Sequence, residues 1–291
     1  MNVSNYTVVY FSCLKRGFSI PSTLAAFNVG GHEISIQFYG VIIAAAFILS
    51  LIAVTKLAKH NNMDLNKTYD MTIWGTLFGI VGARLMYVAF SWSYYSQHLS
   101  EIWKIRDGGL AIYGGIIIGT FAAWVVSKIV KADILDGLDL AGPGFLLGQA
   151  IGRWGNFMNQ ESFGTNTDLP WGMTSDKIRD YIISHQDFFA EHDMIVSPDR
   201  PVHPTFLYES LWCLIGFFIL YFMFKNHRRF RGQIILSYCV WYGLERLVVE
   251  GIRTDALFIG GSNFRISQMI SAVIVIAAAV VLIVQIRKHR K

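Results

Sequence analysis

Charge is what this chain has least of. Asp, Glu, Lys and Arg make up 15% of its 291 residues, against about 25% in soluble globular domains, while 53% of positions are apolar and the mean hydropathy is +0.42. Seven spans of about 20 residues would fill about 140 positions, enough to produce that balance. A soluble domain, a disordered chain, a collagen-like fibre and a disulfide scaffold are therefore excluded. Cysteine is scarce as well. Cys13, Cys213 and Cys239 are odd in number and show no CxxC spacing, so they read as small core residues and not as a disulfide framework or metal site. There is no HExxH, no P-loop and no GxSxG elbow, and no metal or cofactor is expected. The net charge of +5 does not come from a basic stripe interleaved with aromatics, so nucleic acid is not an expected partner. The basic residues sit between apolar runs, which is the pattern of membrane topology.

Three stretches free of charge are long enough to cross a hydrocarbon core of about 30 Å as helices: Ile34 to Thr55, Gly108 to Ser127 and Ile266 to Ile286. Four more qualify if a charge is tolerated: Met71 to Phe90 with Arg84, Leu138 to Phe157 with Asp139 and Arg153, Thr205 to Phe224 with Glu209, and Gly232 to Ile252 with Glu245, Arg246 and Glu250. An ionisable group within a span costs about 2.5 to 3.5 kcal/mol on insertion scales, so these four are the helices to search for chemistry. The expectation is an all-α polytopic membrane protein of about seven transmembrane helices. The connections holding Lys56, Lys59 and Lys67, Lys128 and Lys131, Lys225, Arg228, Arg229 and Arg231, and the terminal Arg287, Lys288, Arg290 and Lys291 are short and basic. The positive-inside rule places them in the cytoplasm, with the N-terminus outside and the C-terminus inside.

That orientation puts residues 1–33 outside, with 1–22 read as a loosely ordered extension lacking the apolar core of a signal peptide. The membrane domain is 34–291. Its longest connection, 158–203 between spans 4 and 5, carries eight acids and an amphipathic pattern from Asp176 to Asp193, and is expected to form a small extracytoplasmic head. Every polar cluster then falls in the outer half of the membrane: Tyr39, Arg84, Gly108 to Tyr113, Arg153 to Glu161, His203 to Glu209, and Tyr242 to Arg253. At 100° per residue Tyr242, Arg246, Glu250 and Arg253 lie within about 80° of one another. The plainer account of that stripe is an internal Arg246–Glu250 pair at i,i+4, which leaves the shared depth with Arg153 unexplained. Gly144, Gly148 and Gly152 form a small-residue ridge for close helix packing, with Gly115xxxGly119 and Gly79xxxAla83 similar. Pro143 is expected to kink span 4. Arginines with Asn and Tyr donors at headgroup depth suit a phosphate, and a phospholipid is the economical substrate. The alternative is a transporter of an anionic solute or lipid, against which stand the odd number of spans and the lack of a visible inverted repeat.

The run Gly152-Arg153-Trp154-Gly155-Asn156-Phe157-Met158-Asn159-Gln160-Glu161-Ser162-Phe163-Gly164 resembles the signature of the bacterial phosphatidylglycerol:prolipoprotein diacylglyceryl transferases. So do Phe38-Tyr39-Gly40, Gly82-Ala83-Arg84-Leu85, Asp107-Gly108-Gly109 through Tyr113-Gly114-Gly115, His203-Pro204 with Leu207-Tyr208-Glu209, and Tyr242-Gly243 with Arg246 and Glu250. The resemblance implies a plasma-membrane enzyme that moves diacylglyceryl from phosphatidylglycerol to the lipobox cysteine of prolipoprotein signal peptides, the first step of lipoprotein maturation. It implies Arg153, Arg246 and Tyr113 as catalytic residues. Tyr39, Arg84, Asn156, Asn159, Glu161, Gly164, His203, Tyr208, Tyr242 and Glu250 are implied as substrate-binding or supporting residues. Glu161, Glu209 and Glu250 also suit neutralisation of the arginines. Many members carry His where this chain has Tyr113, and a tyrosine with pKa near 10 is a poor base unless cations depress it. The base that takes the thiol proton is therefore open among Tyr113, His203, Glu161 and water.

Overall fold

The computed structural model describes residues 6–14, 16–29, 32–105, 108–258 and 263–289. Its elements in chain order are strands β1 (Tyr6–Phe11), β2 (Phe18–Pro21), β3 (Thr23–Val29) and β4 (His32–Gln37), then helices α1 (Phe38–His60), α2 (Leu65–Phe90), α3 (Trp92–Tyr95), α4 (Ile112–Ile129) and α5 (Ile134–Asn159). Strand β5 (Met173–Ser175) and helices α6 (Asp176–Ser184), α7 (Gln186–Glu191), α8 (Thr205–His227), α9 (Gln233–Val249) and α10 (Ile266–Lys288) follow.

Helices α1, α2, α4, α8 and α10 are long and apolar enough to cross a membrane, and their outward side chains include Phe121 at 61% and Val273 at 68% exposure. Side chains this apolar call for a hydrocarbon solvent, and the chain is a polytopic membrane protein. Each of the seven expected spans coincides with a helix, with altered edges. Glycines 108 and 109 have φ of +87° and +74°, outside the right-handed helical region, so α4 starts at Ile112. Helix α9 ends at Val249, three residues before the expected boundary, and α5 runs unbroken through Pro143. The helix ends carry ordinary signals. The Asp64 carboxylate accepts from the N–H of Asn66 at 2.9 Å to cap α2, and Lys59 with His60, and Arg287 with Lys288, occupy the last turns of α1 and α10 where cations suit the dipole.

The chain forms two compact units, residues 1–54 with 142–291, and residues 55–141. In the second unit α2 and α4 pack through glycines: a Cβ on Gly82 would lie 2.7 Å from the Gly114 carbonyl, and one on Gly79 3.3 Å from that of Gly115. In the first unit the expected ridge of α5 receives α1. A Cβ on Gly144, Gly148 or Gly152 would meet Val54 at 2.8 Å, Ser50 at 3.2 Å and Ile43 at 3.5 Å.

The expectation of an all-α chain needs correcting. Strand β1 pairs antiparallel with both β2 and β5, and β3 pairs with β4. Residues 6–14 and 16–22, read as a loosely ordered extension, thus belong to a folded body. The sequence Tyr6-Thr-Val-Val-Tyr-Phe11 is β-branched and aromatic throughout, and Val9 is fully buried with Ile20, Phe163, Met173, Ile178, Ile182, Phe189 and Val202. The 158–203 segment supplies most of that core. Its expected single helix is two, because the chain turns at His185 (φ −116°, ψ 20°) between α6 and α7. Ser175 caps α6 by accepting from the N–H of Ile178 at 3.2 Å.

Candidate active site

In the first unit the C-terminal end of α5, the start of α8 and the end of α9 meet on one carboxylate. Glu209, with 1% of its side chain exposed, pairs with the Nε of Arg153, lies 3.3 Å from Nη1 of Arg253 and 3.9 Å from Nη1 of Arg246. Arg246 also pairs with Glu250 one turn on, so the i,i+4 pair expected from spacing does form. It does so beside Arg153, and the stripe therefore serves both accounts. Arg153 and Arg246 keep 17% and 15% of their side chains exposed. The Arg153 contact with Glu209 is made through Nε. A guanidinium stays charged when desolvated and offers planar paired donors to an oxyanion.

The signature residues gather around this cluster. Glu161 Oε1 accepts from Asn156 at 2.9 Å and from Asn159 at 3.3 Å, and Gln160 and Ser162 hold left-handed backbone at φ 54° and 57° on either side of it. Non-glycine residues rarely keep that conformation unless their surroundings enforce it. Tyr39 packs against Gly155, where a Cβ would stand 2.8 Å from its ring. Gly164 is hemmed in by His203 at 2.8 Å and the Ile252 carbonyl at 3.1 Å, again measured to a hypothetical Cβ. Tyr242 stacks on Tyr238 at 5.7 Å, and Tyr238 accepts from Gln149 at 3.0 Å.

His203 is tied down. Trp171 Nε1 donates to the Tyr208 oxygen at 2.8 Å, and the Tyr208 oxygen lies 3.1 Å from Nδ1 of His203. An indole only donates, so Trp171 is the donor to Tyr208, and the proton between Tyr208 and His203 is carried by either partner according to the histidine tautomer. Burial pushes the imidazole below its ordinary pKa. The ring is fixed by these neighbours two residues before α8, an arrangement suited to holding the start of that helix in place.

Arg84 and Tyr113 belong to the second unit. Arg84 is buried and donates to four backbone carbonyls, while Tyr113, in the first turn of α4, is 40% exposed. Asp107 of the quoted motif lies outside the described residues.

Arg253 belongs to the polar stripe expected from sequence but not to the expected catalytic or binding residues, and Asp255 to neither. Arg253 sits beyond the end of α9, so the stripe arithmetic does not apply to it, yet it reaches Glu209 and also binds Asp255 at 2.9 and 2.7 Å and Ser162 at 2.9 Å. Burial alone would raise the Asp255 carboxyl, but its bonds to Arg253 hold it below the ordinary carboxylate value. Glu245 is the other addition. It is 2% exposed and accepts from the Cys213 thiol at 3.2 Å. The signal available in sequence was its place among Arg246 and Glu250 on one span.

Buried guanidiniums gathered on shared carboxylates at the ends of long helices define a polytopic membrane protein with a charged cluster in its helical body. The comparison with known proteins narrows this. The prolipoprotein diacylglyceryl transferase family profile matches residues 25–284, and the chain belongs to that family. Among its relatives is a protein of Finegoldia magna, 44% identical over 88% of this chain and 92% of its own length. Another is from Limosilactobacillus reuteri, 41% identical over 93% and 94%, and a third from Pediococcus pentosaceus, 38% identical over 91% of each. All three carry the name phosphatidylglycerol--prolipoprotein diacylglyceryl transferase.

Proposed function

We propose that this chain transfers the diacylglyceryl group of phosphatidylglycerol to the thiol of a prolipoprotein's lipobox cysteine, forming a thioether and releasing glycerol phosphate. The observation that carries the reading is the convergence of Arg153 and Arg246, from separate helices, on buried Glu209. Family membership over nearly the whole chain favours it over transport of an anionic solute.

The reaction balances simply. The sulfur attacks the glyceryl carbon, the bond from that carbon to the phosphate oxygen breaks, and the bonding pair leaves with the phosphate. A phosphodiester becomes a monoester, so negative charge grows on the departing group as the thiol loses its proton. Arg153 and Arg246 are placed to take up that charge, in surroundings where fixed donors act strongly. Attack needs the thiolate, whose formation nearby cations favour. In this reading Tyr39, Asn156, Asn159, Glu161, Gly164 and Tyr242 contact the headgroup or support the residues that do. Glu250 holds Arg246, and His203 with Tyr208 holds the start of α8. Tyr113 takes part in the transfer as a headgroup-orienting hydroxyl.

In this reading α5 and α9 join the five apolar helices to make seven spans of the bacterial plasma membrane. The N-terminus and the 158–203 head lie outside and the basic C-terminus lies in the cytoplasm. The site then sits at the depth of outer-leaflet headgroups, with the acyl chains among the apolar helices.

The test is direct. Purified protein given phosphatidylglycerol and a lipobox peptide should release glycerol phosphate, and Arg246→Ala or Arg153→Ala should lower the rate about 10²- to 10³-fold in protein that remains folded. Normal turnover in either variant removes its phosphate role.

A further inference from the structure

We infer that Arg84 is a positioning residue for Tyr113, a clamp on the loop that leads into α4, and not a ligand of the lipid phosphate. The inference rests on the reading above that Tyr113 takes part in the transfer. A guanidinium has five N–H donors. In Arg84, Nε donates to the Ile102 carbonyl at 2.7 Å, Nη2 to that of Glu101 at 2.8 Å, and Nη1 to those of Gly108 and Gly109 at 2.9 and 3.0 Å. Four of the five donors thus go to carbonyls from both ends of one loop. The guanidinium carbon lies 5.8 and 5.3 Å from the ring centroids of Tyr87 and Tyr95, within reach of a cation–π interaction with each. The polar cavity beside it is lined by Arg84, Tyr87, Tyr95, Glu101, Lys104 and the two glycines, so Arg84 faces it with the same group that holds the loop.

The clamp explains two sequence features together. Gly108 and Gly109 turn left-handed so that their carbonyls point at Arg84, and a Cβ on Gly109 would stand 2.6 Å from Nη1. The same stretch is pinned a second time, since the N–H of Ala111 donates to the carbonyl of Ala83 at 3.0 Å. Helix α4 starts at the next residue and carries Tyr113 in its first turn. The arginine of α2 and the glycine pair before α4, which look like separate motifs, form one device that fixes where the Tyr113 side chain starts.

The experiment uses the full chain in lipid nanodiscs as Arg84→Lys and Gly109→Ala. Lysine keeps the charge, but its donors radiate from one nitrogen and cannot span carbonyls held by a planar fork. The alanine leaves Arg84 in place and pushes Nη1 away. In both variants trypsin should cut after Lys104 about tenfold faster, as expected for losing a bond of this kind. The kcat should fall about 10- to 100-fold, while KM for phosphatidylglycerol and inhibition by added glycerol phosphate stay within about twofold. Restoring neither fork nor loop, the double variant should be no worse than Arg84→Lys alone. A tenfold rise in KM and in the inhibition constant with kcat retained would make Arg84 a phosphate ligand and overturn the clamp. Unchanged trypsin protection in both variants would overturn it as well. If the wild-type protein releases no glycerol phosphate, the transfer reading fails on its own, and the trypsin comparison still decides whether Arg84 holds the loop.

Discussion

One carboxylate governs the behaviour of three arginines. Glu209 is almost fully buried and faces Arg153, Arg246 and Arg253, so neutralising it leaves cations desolvated without compensation. Removing one partner of a buried pair costs about 3 to 5 kcal/mol. Glu209→Gln should therefore lower the thermal midpoint of the purified protein, and an unchanged midpoint would mean that lipid or water neutralises the arginines instead. Tyr113 asks for a different comparison. Tyr113→Phe removes only the hydroxyl, whereas Tyr113→His restores the residue that many family members carry. If the hydroxyl orients the headgroup, the Phe variant loses rate at every pH and the His variant recovers it with an added acid limb near the imidazole pKa of about 6.5. A Phe variant with normal activity over the whole pH range removes the hydroxyl from the mechanism. The arginines of the site were legible in the sequence because a charge inside an apolar run is conspicuous. The chain of Trp171, Tyr208 and His203 was not, since hydrogen bonding between residues 37 apart leaves no periodic trace.

At the scale of elements, glycine spacing carries the most readable information. The ridge on α5 and the pairs on α2 and α4 are regular, and in each case the structure puts a neighbouring helix against them. Gly114→Leu should separate α2 from α4, because even a Cβ there would lie 2.5 Å from that of Met86. Overpacking of this kind costs about 1 to 3 kcal/mol or more, and the expected result is a poorly expressed, heat-labile protein. Wild-type yield and thermal midpoint would show that the helices can move apart freely. Element edges were less legible than element existence. The start of α4 is displaced by two left-handed glycines, and the end of α9 gives way to a segment in which Arg253 binds Asp255. Strand β1 escaped notice for another reason. Its partner β5 lies more than 160 residues away, and six residues of alternating burial offer a far weaker signal than a helix of twenty.

On the scale of the whole molecule, the acid response and the sidedness both follow from where ionisable groups sit. Asp255 is held below its ordinary pKa by Arg253. Its contribution to stability is present above the unfolded carboxylate value of about 3.9 and disappears as pH falls through the folded value. Asp255→Asn should then flatten the loss of stability below about pH 4 seen in the wild type, and equal acid limbs in the two proteins would place the acid sensitivity elsewhere. Sidedness can be read with the chain's own thiols. Cys13 is exposed, Cys213 is buried and Cys239 is partly covered. Cys13 follows β1, whose Val9 is locked into the core formed with the 158–203 segment, so the label at Cys13 reports the side of the membrane on which that body lies. In the proposed topology, with the basic C-terminus inside and seven spans, that side is the exterior. A membrane-impermeant maleimide applied to intact spheroplasts should therefore label Cys13, and Cys13→Ser should abolish the signal. Labelling that appears only after permeabilisation would invert the topology and move the arginine site to the inner leaflet, away from a lipobox thiol that has crossed the membrane.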